Sequence, residues 1–130
     1  MHAWLKAIPA TVVIDHFGRV DPAPGLAQEP FAILCELMRR ENFWMKISGA
    51  DRITRRGYPY DDVAPFAQRL AEIAPSRLIW GSDWPHTGVF DAARMPDDGK
   101  LLDALCSFVP NQAVREKILV ENPLRLVNAS

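Results

Sequence analysis

Arg77-Leu78-Ile79-Trp80-Gly81-Ser82-Asp83-Trp84-Pro85-His86 decides how the rest of the chain is read. The apolar run Leu78-Ile79-Trp80 has the length and composition of a strand buried on both faces. Gly81 closes it, Asp83 and His86 follow within five residues, and Pro85 bars a continuing strand or helix. Ionisable groups gathered just beyond the carboxyl end of a buried strand are the sequence form of an α/β active site. The alternative is an Asp and a His decorating an ordinary turn, and the stretch alone does not separate the two.

Two strands of the same kind precede it. Thr11-Val12-Val13-Ile14-Asp15-His16 is β-branched and apolar, ends in ionisable groups and is broken by Phe17-Gly18. Phe43-Trp44-Met45-Lys46-Ile47-Ser48-Gly49 is followed by Asp51-Arg52. Strands are therefore predicted near 11–16, 43–49 and 77–81, starting around Thr11, Trp44 and Arg77 at even 33-residue intervals.

Helical periods fill the intervals. Phe31, Leu34, Cys35 and Met38 fall at i, i+3, i+4 and i+7 behind Pro30, predicting a helix near 30–41. Val63, Phe66, Ala67, Leu70 and Ile73, with Asp61 as N-cap, predict one near 61–74. Leu101, Leu102, Leu105 and Cys106 mark a face of a helix near 98–108, and Asn111 caps another near 111–121. Asn122-Pro123 then starts a last turn, and residues 2–8 read as a short helix ending before Pro9. This alternation is the βα repeat of a parallel α/β sheet, in which each crossover lays a helix on a sheet face. It sets His16, Asp51-Arg52 and Asp83-His86 on one edge of the sheet, and three converging polar clusters make a site the better reading.

At 130 residues the chain has the size of one domain, and 48% hydrophobic with 24% charged residues is a globular composition. A net charge of -1 leaves no electrostatic footprint for nucleic acid or an anionic membrane. No apolar run approaches the ~20 residues of a membrane span, and Met1 to Lys6 lacks the apolar core of a signal peptide. Cys35 and Cys106 read as reduced core thiols, so the cytoplasm is the expected compartment. The chain has no phosphate-binding glycine loop, Cys-x-x-Cys, Gly-x-Ser-x-Gly elbow or His-x-His pair.

The remaining candidates follow from side-chain chemistry. Asp83 can take a proton from an attacking water or hold a metal. His16 can polarise a carbonyl, ligate a metal or shuttle a proton. Arg52 has the planar fork that grips a carboxylate in two hydrogen bonds. His86 can contact substrate or order its loop. Alternation along the first strand turns Asp15 away from His16 and gives it a structural role, while Arg55 and Arg56 read as a solvated loop.

Val13-Ile14-Asp15-His16-Phe17-Gly18, Lys46-Ile47-Ser48-Gly49-Ala50-Asp51-Arg52, Trp80-Gly81-Ser82-Asp83-Trp84-Pro85-His86 and Met95-Pro96-Asp97-Asp98-Gly99 resemble the C-terminal part of an amidohydrolase-superfamily (β/α)8 barrel. The resemblance continues through Glu121-Asn122-Pro123-Leu124-Arg125-Leu126. The first and third motifs mark the superfamily. The second and fourth are narrower, and are similar to the 2-pyrone-4,6-dicarboxylate hydrolases, lactonases of aromatic catabolism.

This resemblance implies that Asp83 is a general base, that His16 helps polarise a lactone carbonyl and that Arg52 binds a substrate carboxylate; His86 is a second substrate-binding candidate from its position after Asp83 alone. It implies no metal; a metal-dependent amidohydrolase or decarboxylase, with a divalent metal such as zinc on Asp83, is the alternative. A whole barrel has eight strands and at least ~200 residues. Residues 1–130 are therefore expected to be the C-terminal portion of one barrel domain, an open βα arc with helices on one face and inactive alone. Its exposed inner face and edges are expected to meet an N-terminal barrel half or another copy. A non-catalytic partner chain completing a split barrel is the reading outside the enzyme class.

Overall fold

The structure, a computed structural model, describes residues 4, 5 and 7–128. Strands β1 (Val12–Ile14), β2 (Phe43–Lys46) and β3 (Leu78–Ile79) form a parallel sheet in that order. Val12, Val13 and Ile14 lie opposite Phe43, Trp44 and Met45, and Met45 and Lys46 opposite Leu78 and Ile79. The parallel βα architecture is the expected one. The strands are shorter than expected and their starts are not evenly spaced. His16, Phe17, Gly18 and Arg19 all have left-handed backbone, with φ between 52 and 62°, so β1 cannot run on through His16.

The helices are α1 (Glu29–Met38), the single turn α2 (Ala50–Ile53), α3 (Ala64–Ile73), α4 (Asp98–Phe108), α5 (Gln112–Glu116) and α6 (Asn122–Asn128). Pro30 sits in the first turn of α1, as its fixed φ and missing N–H favour. Asn111 caps α5 by accepting from Val114 N at 3.2 Å, and Asp97 caps α4 through Lys100 N. Asp61 does not cap α3, whose N-cap position is Val63 with no side-chain hydrogen bond. Its neighbour Asp62 instead accepts from Thr54 Oγ1 at 2.6 Å and Arg55 N at 2.7 Å.

The expected helix near 111–121 and its separate last turn are one continuous rod. Lys117–Glu121 forms a π turn between α5 and α6, with Asn122 N–H donating to the Lys117 carbonyl. The helix expected over 2–8 lies partly outside the described residues.

Alternation along the strands divides the sheet into two faces. Val12, Ile14, Phe43, Met45 and Leu78 share one, and the core gathers there with Phe31, Leu34 and Met38 of α1 and Phe66 and Leu70 of α3. Phe31 and Phe66 meet edge to face, with centroids 4.7 Å apart. On α4, Leu101, Ala104, Leu105 and Phe108 point inward, which leaves Leu102 and Cys106 outside. The core-thiol expectation therefore fails for Cys106, while Cys35 is half-buried.

The opposite face carries Val13, Trp44 and Lys46. Val13 is 42% exposed, as an open inner face requires, but Trp44 is covered: the Arg125 guanidinium of α6 lies 5.0 Å from its ring centroid. α6 is fastened to the start of β3, where buried Asn122 donates to the Pro75 and Leu78 carbonyls at 2.9 and 2.8 Å. The outer edges of β1 and β3 have no strand partner among the described residues. No helix among the described residues is long and apolar enough to cross a membrane.

Candidate active site

Left-handed backbone recurs beyond each strand, at His16 (φ 52°), Gly49 (φ 64°) and Asp83 (φ 72°). For a non-glycine residue this conformation costs roughly 1–2 kcal/mol and persists where the surroundings hold it, commonly at functional sites. Strict alternation would leave His16 on the helix-covered face with Val12 and Ile14. Its left-handed turn instead brings the ring to the residues that follow β2 and β3.

There His16 Nδ1 and Ser48 Oγ share a 2.8 Å hydrogen bond, while Nε2 stands 3.5 Å from Asp83 Oδ1. Arg52 Nε donates to Asp83 Oδ2. One carboxylate is thus held between an imidazole and a guanidinium, each contributed by a different strand end. The three side chains are only 15–18% exposed, and partial burial strengthens such interactions by lowering the local dielectric.

Gly49 makes the close approach possible. A Cβ there would meet His16 Nδ1 at 2.9 Å and Cγ at 3.1 Å, on a backbone that L side chains rarely adopt. Gly49→Ala is expected to cost roughly 1–2 kcal/mol of stability and to displace the His16 ring. A lowered urea midpoint together with a shifted His16 ring resonance would verify both effects; an unmoved resonance would refute the packing argument.

His86 stands apart from this trio. It is 2% exposed, and its Nε2 hydrogen-bonds Asp98 Oδ1 at 2.9 Å, tying the loop after β3 to the first turn of α4. Of the two roles read from sequence for His86, loop ordering has a contact in the structure. Asp15 is paired with Lys46 at 2.7 Å, a structural role away from His16, as expected. Arg55 grips Asp21 at 2.6 and 3.1 Å and holds its carboxyl down to about 2, which removes Arg55 from the site.

Sequence reasoning assigned no role to Ser48 or Asp98. Ser48 gave a signal only in preceding the glycine that ends the strand. Asp98 lies in a helix first turn, where acids are common for dipole reasons alone.

Asp51 is half-buried, and its Oδ1 is shut off from solvent without a protein partner. Burial pushes its pKa above the ordinary aspartate value of 3.8, with nearby Asp83 pushing the same way and Arg52 and His86 opposing. The folded state therefore binds this proton more readily than the unfolded chain does. Stability should fall as pH rises from about 3.8 through the higher folded value. Asp51→Asn is expected to flatten that fall and to melt higher than the parent at pH 7, with the gap closing near pH 3. Parallel pH–melting curves would expose the absence of this convergence.

Beside the trio opens a cavity of about 530 Å³ lined by Arg19, Asp51, Arg52, Phe90, Asp91 and Arg94 among others. Arg52 belongs to both places. Its Nη2 is buried with no protein partner while its Nε holds Asp83.

Comparison with known proteins places this arrangement in a family. A family profile described as amidohydrolase matches residues 1–129. The chain is 59% identical over 115 residues to the 4-sulfomuconolactone hydrolase of Rhizobium radiobacter, covering 88% of this chain and 38% of that protein. It is 42% identical over 132 residues to the 2-pyrone-4,6-dicarboxylate hydrolase of Comamonas testosteroni, covering 95% and 43%. A ligand-free crystal structure from Agrobacterium tumefaciens superposes with a TM-score of 0.83 at 35% identity, over 98% of this chain and 45% of that one. The chain spans about two fifths of the length of the curated relatives it matches. Matched along nearly its whole length, it belongs to the amidohydrolase family, of whose (β/α)8 barrel it supplies three consecutive βα units.

Proposed function

We propose that this chain carries part of the site of a lactone hydrolase in which Asp83 is the general base. The observation that carries the reading is the Asp83 carboxylate held between His16 and Arg52 at the ends of three parallel strands. The names of the similar proteins, hydrolases of 4-sulfomuconolactone and of 2-pyrone-4,6-dicarboxylate, support a lactone that also bears acidic groups.

Asp83 takes a proton from water as the water oxygen attacks the lactone carbonyl. His16, fixed by Ser48, faces the oxygen that becomes negative. The tetrahedral intermediate then expels the ring oxygen, which takes the proton back from Asp83, and the opened chain is left with a new carboxylic acid that ionises by releasing its proton to solvent. Arg52, with Nη2 unused, receives a substrate carboxylate beside the reacting carbon, and His86 fixes the loop that bears Asp83. General-base action contributes typically 10²–10⁴-fold and oxyanion stabilisation a comparable factor, so the site needs the groups on the other barrel strands as well.

The reading requires no metal and no nucleic-acid or membrane partner, and it suits a cytoplasmic enzyme. Its partner is the rest of the barrel, supplied by further βα units; the alternative is a second copy associating through the edges of β1 and β3 that have no strand partner among the described residues. The test is ring opening of either lactone, followed by ultraviolet absorbance, for the chain alone and with the five N-terminal βα units of a relative. Little turnover alone and turnover on mixing is the expected pair of results. Turnover abolished by a chelator and restored by zinc would replace the base role of Asp83 with that of a metal ligand.

A further inference from the structure

Three hydrogen bonds converge on His86, and one of them comes from a helix outside the trio. Asp83 and His86 both hold left-handed backbone, with φ of 72 and 56°. The His86 N–H donates to the Asp83 carbonyl at 2.7 Å, and the His86 carbonyl accepts from Val89 N at 3.1 Å, so residues 83–86 form a closed turn. Two non-glycine residues in this conformation stay there only while their surroundings hold them. The His86 end is held by its ring, which is buried and meets Asp98 Oδ1 through Nε2 at 2.9 Å. A carboxylate only accepts, so the shared proton belongs to Nε2 and the ring has one orientation. Asp98 is itself firmly placed, since it opens α4, whose Leu101, Ala104 and Leu105 are buried in the core. Capping of α4 does not need it, because Asp97 is the residue that accepts from Lys100 N.

We propose that Asp98 is a positioning residue for Asp83: by holding the His86 ring it locks the 83–86 turn and keeps the Asp83 carboxylate between His16 and Arg52. Its consequence for turnover rests on the reading of Asp83 as the general base, while its hold on the turn does not. His86 Nδ1 has no protein partner among the described residues. Without Asp98 the ring would therefore be buried with both nitrogens unsatisfied, a state costly enough to drive it out of its place. The turn then relaxes, and the Asp83 carboxylate moves away from its station 3.5 Å from His16 Nε2.

The experiment is NMR of the histidine rings of the 130-residue chain, in the parent and in Asp98→Ala, Asp98→Asn and Asp97→Ala. In the parent, the His86 Nε2 proton should exchange slowly with water. Asp98→Ala should abolish that protection and also shift the His16 ring resonance, although the contacts of His16 are to Ser48 and Asp83. Asp98→Asn keeps an oxygen that accepts from Nε2 and should restore both signals. Asp97→Ala removes the cap of the same helix, so it should lower the melting temperature and leave the His16 resonance in place. An unmoved His16 resonance in Asp98→Ala, or an equal movement in Asp97→Ala, overturns the proposal. In the assembled barrel, Asp98→Ala should lower kcat by about 10–100-fold with little change in KM, the scale of a misplaced catalytic group, and Asp98→Asn should recover most of the loss. Neither NMR signal needs turnover. A His16 ring that shifts in a chain whose assembled barrel opens no lactone keeps the hold on the turn and discards the lactonase, whereas full turnover in Asp98→Ala does the reverse.

Discussion

Asparagine at Asp83 is expected to lower ring-opening turnover in the assembled barrel by about 10²–10⁴-fold, the contribution of a positioned general base. The substitution keeps the shape of the side chain and removes its capacity to take a proton. It also releases Arg52, whose Nε now donates to Asp83 Oδ2, and leaves His16 Nε2 without the carboxylate 3.5 Å away. A freed Arg52 can still bind a substrate carboxylate, so KM should change far less than kcat. That split separates loss of a base from loss of a binding site. The left-handed backbone of Asp83 tolerates asparagine about as well as aspartate, so the melting temperature should stay close to that of the parent. Undiminished turnover would remove Asp83 from the base role.

Phe43→Ala should be the most damaging single truncation for the fold. Phe43 is fully buried on the central strand, on the sheet face that α1 and α3 cover, with the Arg40 guanidinium 5.9 Å from its ring centroid. Truncating a buried phenylalanine costs about 3–5 kcal/mol, from lost burial and from the cavity left behind. A domain holds roughly 5–15 kcal/mol in total, so the variant should melt lower by ~10 °C or more or fail to fold. Phe43→Leu keeps most of the buried apolar surface and should lose much less. Urea titrations of the two variants give the comparison, and a loss below ~1 kcal/mol in the alanine variant would mean that the helices do not depend on this face.

The periodicities were legible because they report burial, and burial decides which segments become elements. The 98–108 helix was placed at its observed bounds from Leu101, Leu102, Leu105 and Cys106, although of these only Leu101 and Leu105 face the core. The grouping of His16, Arg52 and Asp83 followed from topology alone, because parallel strands bring their carboxyl ends to one edge. What stayed hidden was backbone handedness. Nothing in Asp15-His16-Phe17-Gly18-Arg19 announces a run of left-handed residues, so β1 was read too long and His16 was not seen to need it. Partners contributed by later segments were equally hidden. Asp98 reaches His86 across twelve residues, and Arg125 covers Trp44 from the last helix. Asp61 was the wrong cap for a related reason: the adjacent Asp62 is drawn to Thr54 and Arg55, and α3 starts later.

The π turn at Lys117–Glu121 gives the last helix a reserve of length. Each residue of an α-helix advances the chain by ~100° about its axis, so an extra residue would ordinarily swing every later side chain round by that angle. A π turn winds one residue more into a single turn and absorbs the excess where it occurs. Asn122 can therefore keep its aim at the Pro75 and Leu78 carbonyls while Ile118 stays fully buried. Losing one residue there would tighten the turn to an ordinary one and leave α5 and α6 in phase. The same loss within Gln112–Glu116 has no such slack, and would turn Asn122 and Arg125 away from the strand that they fasten.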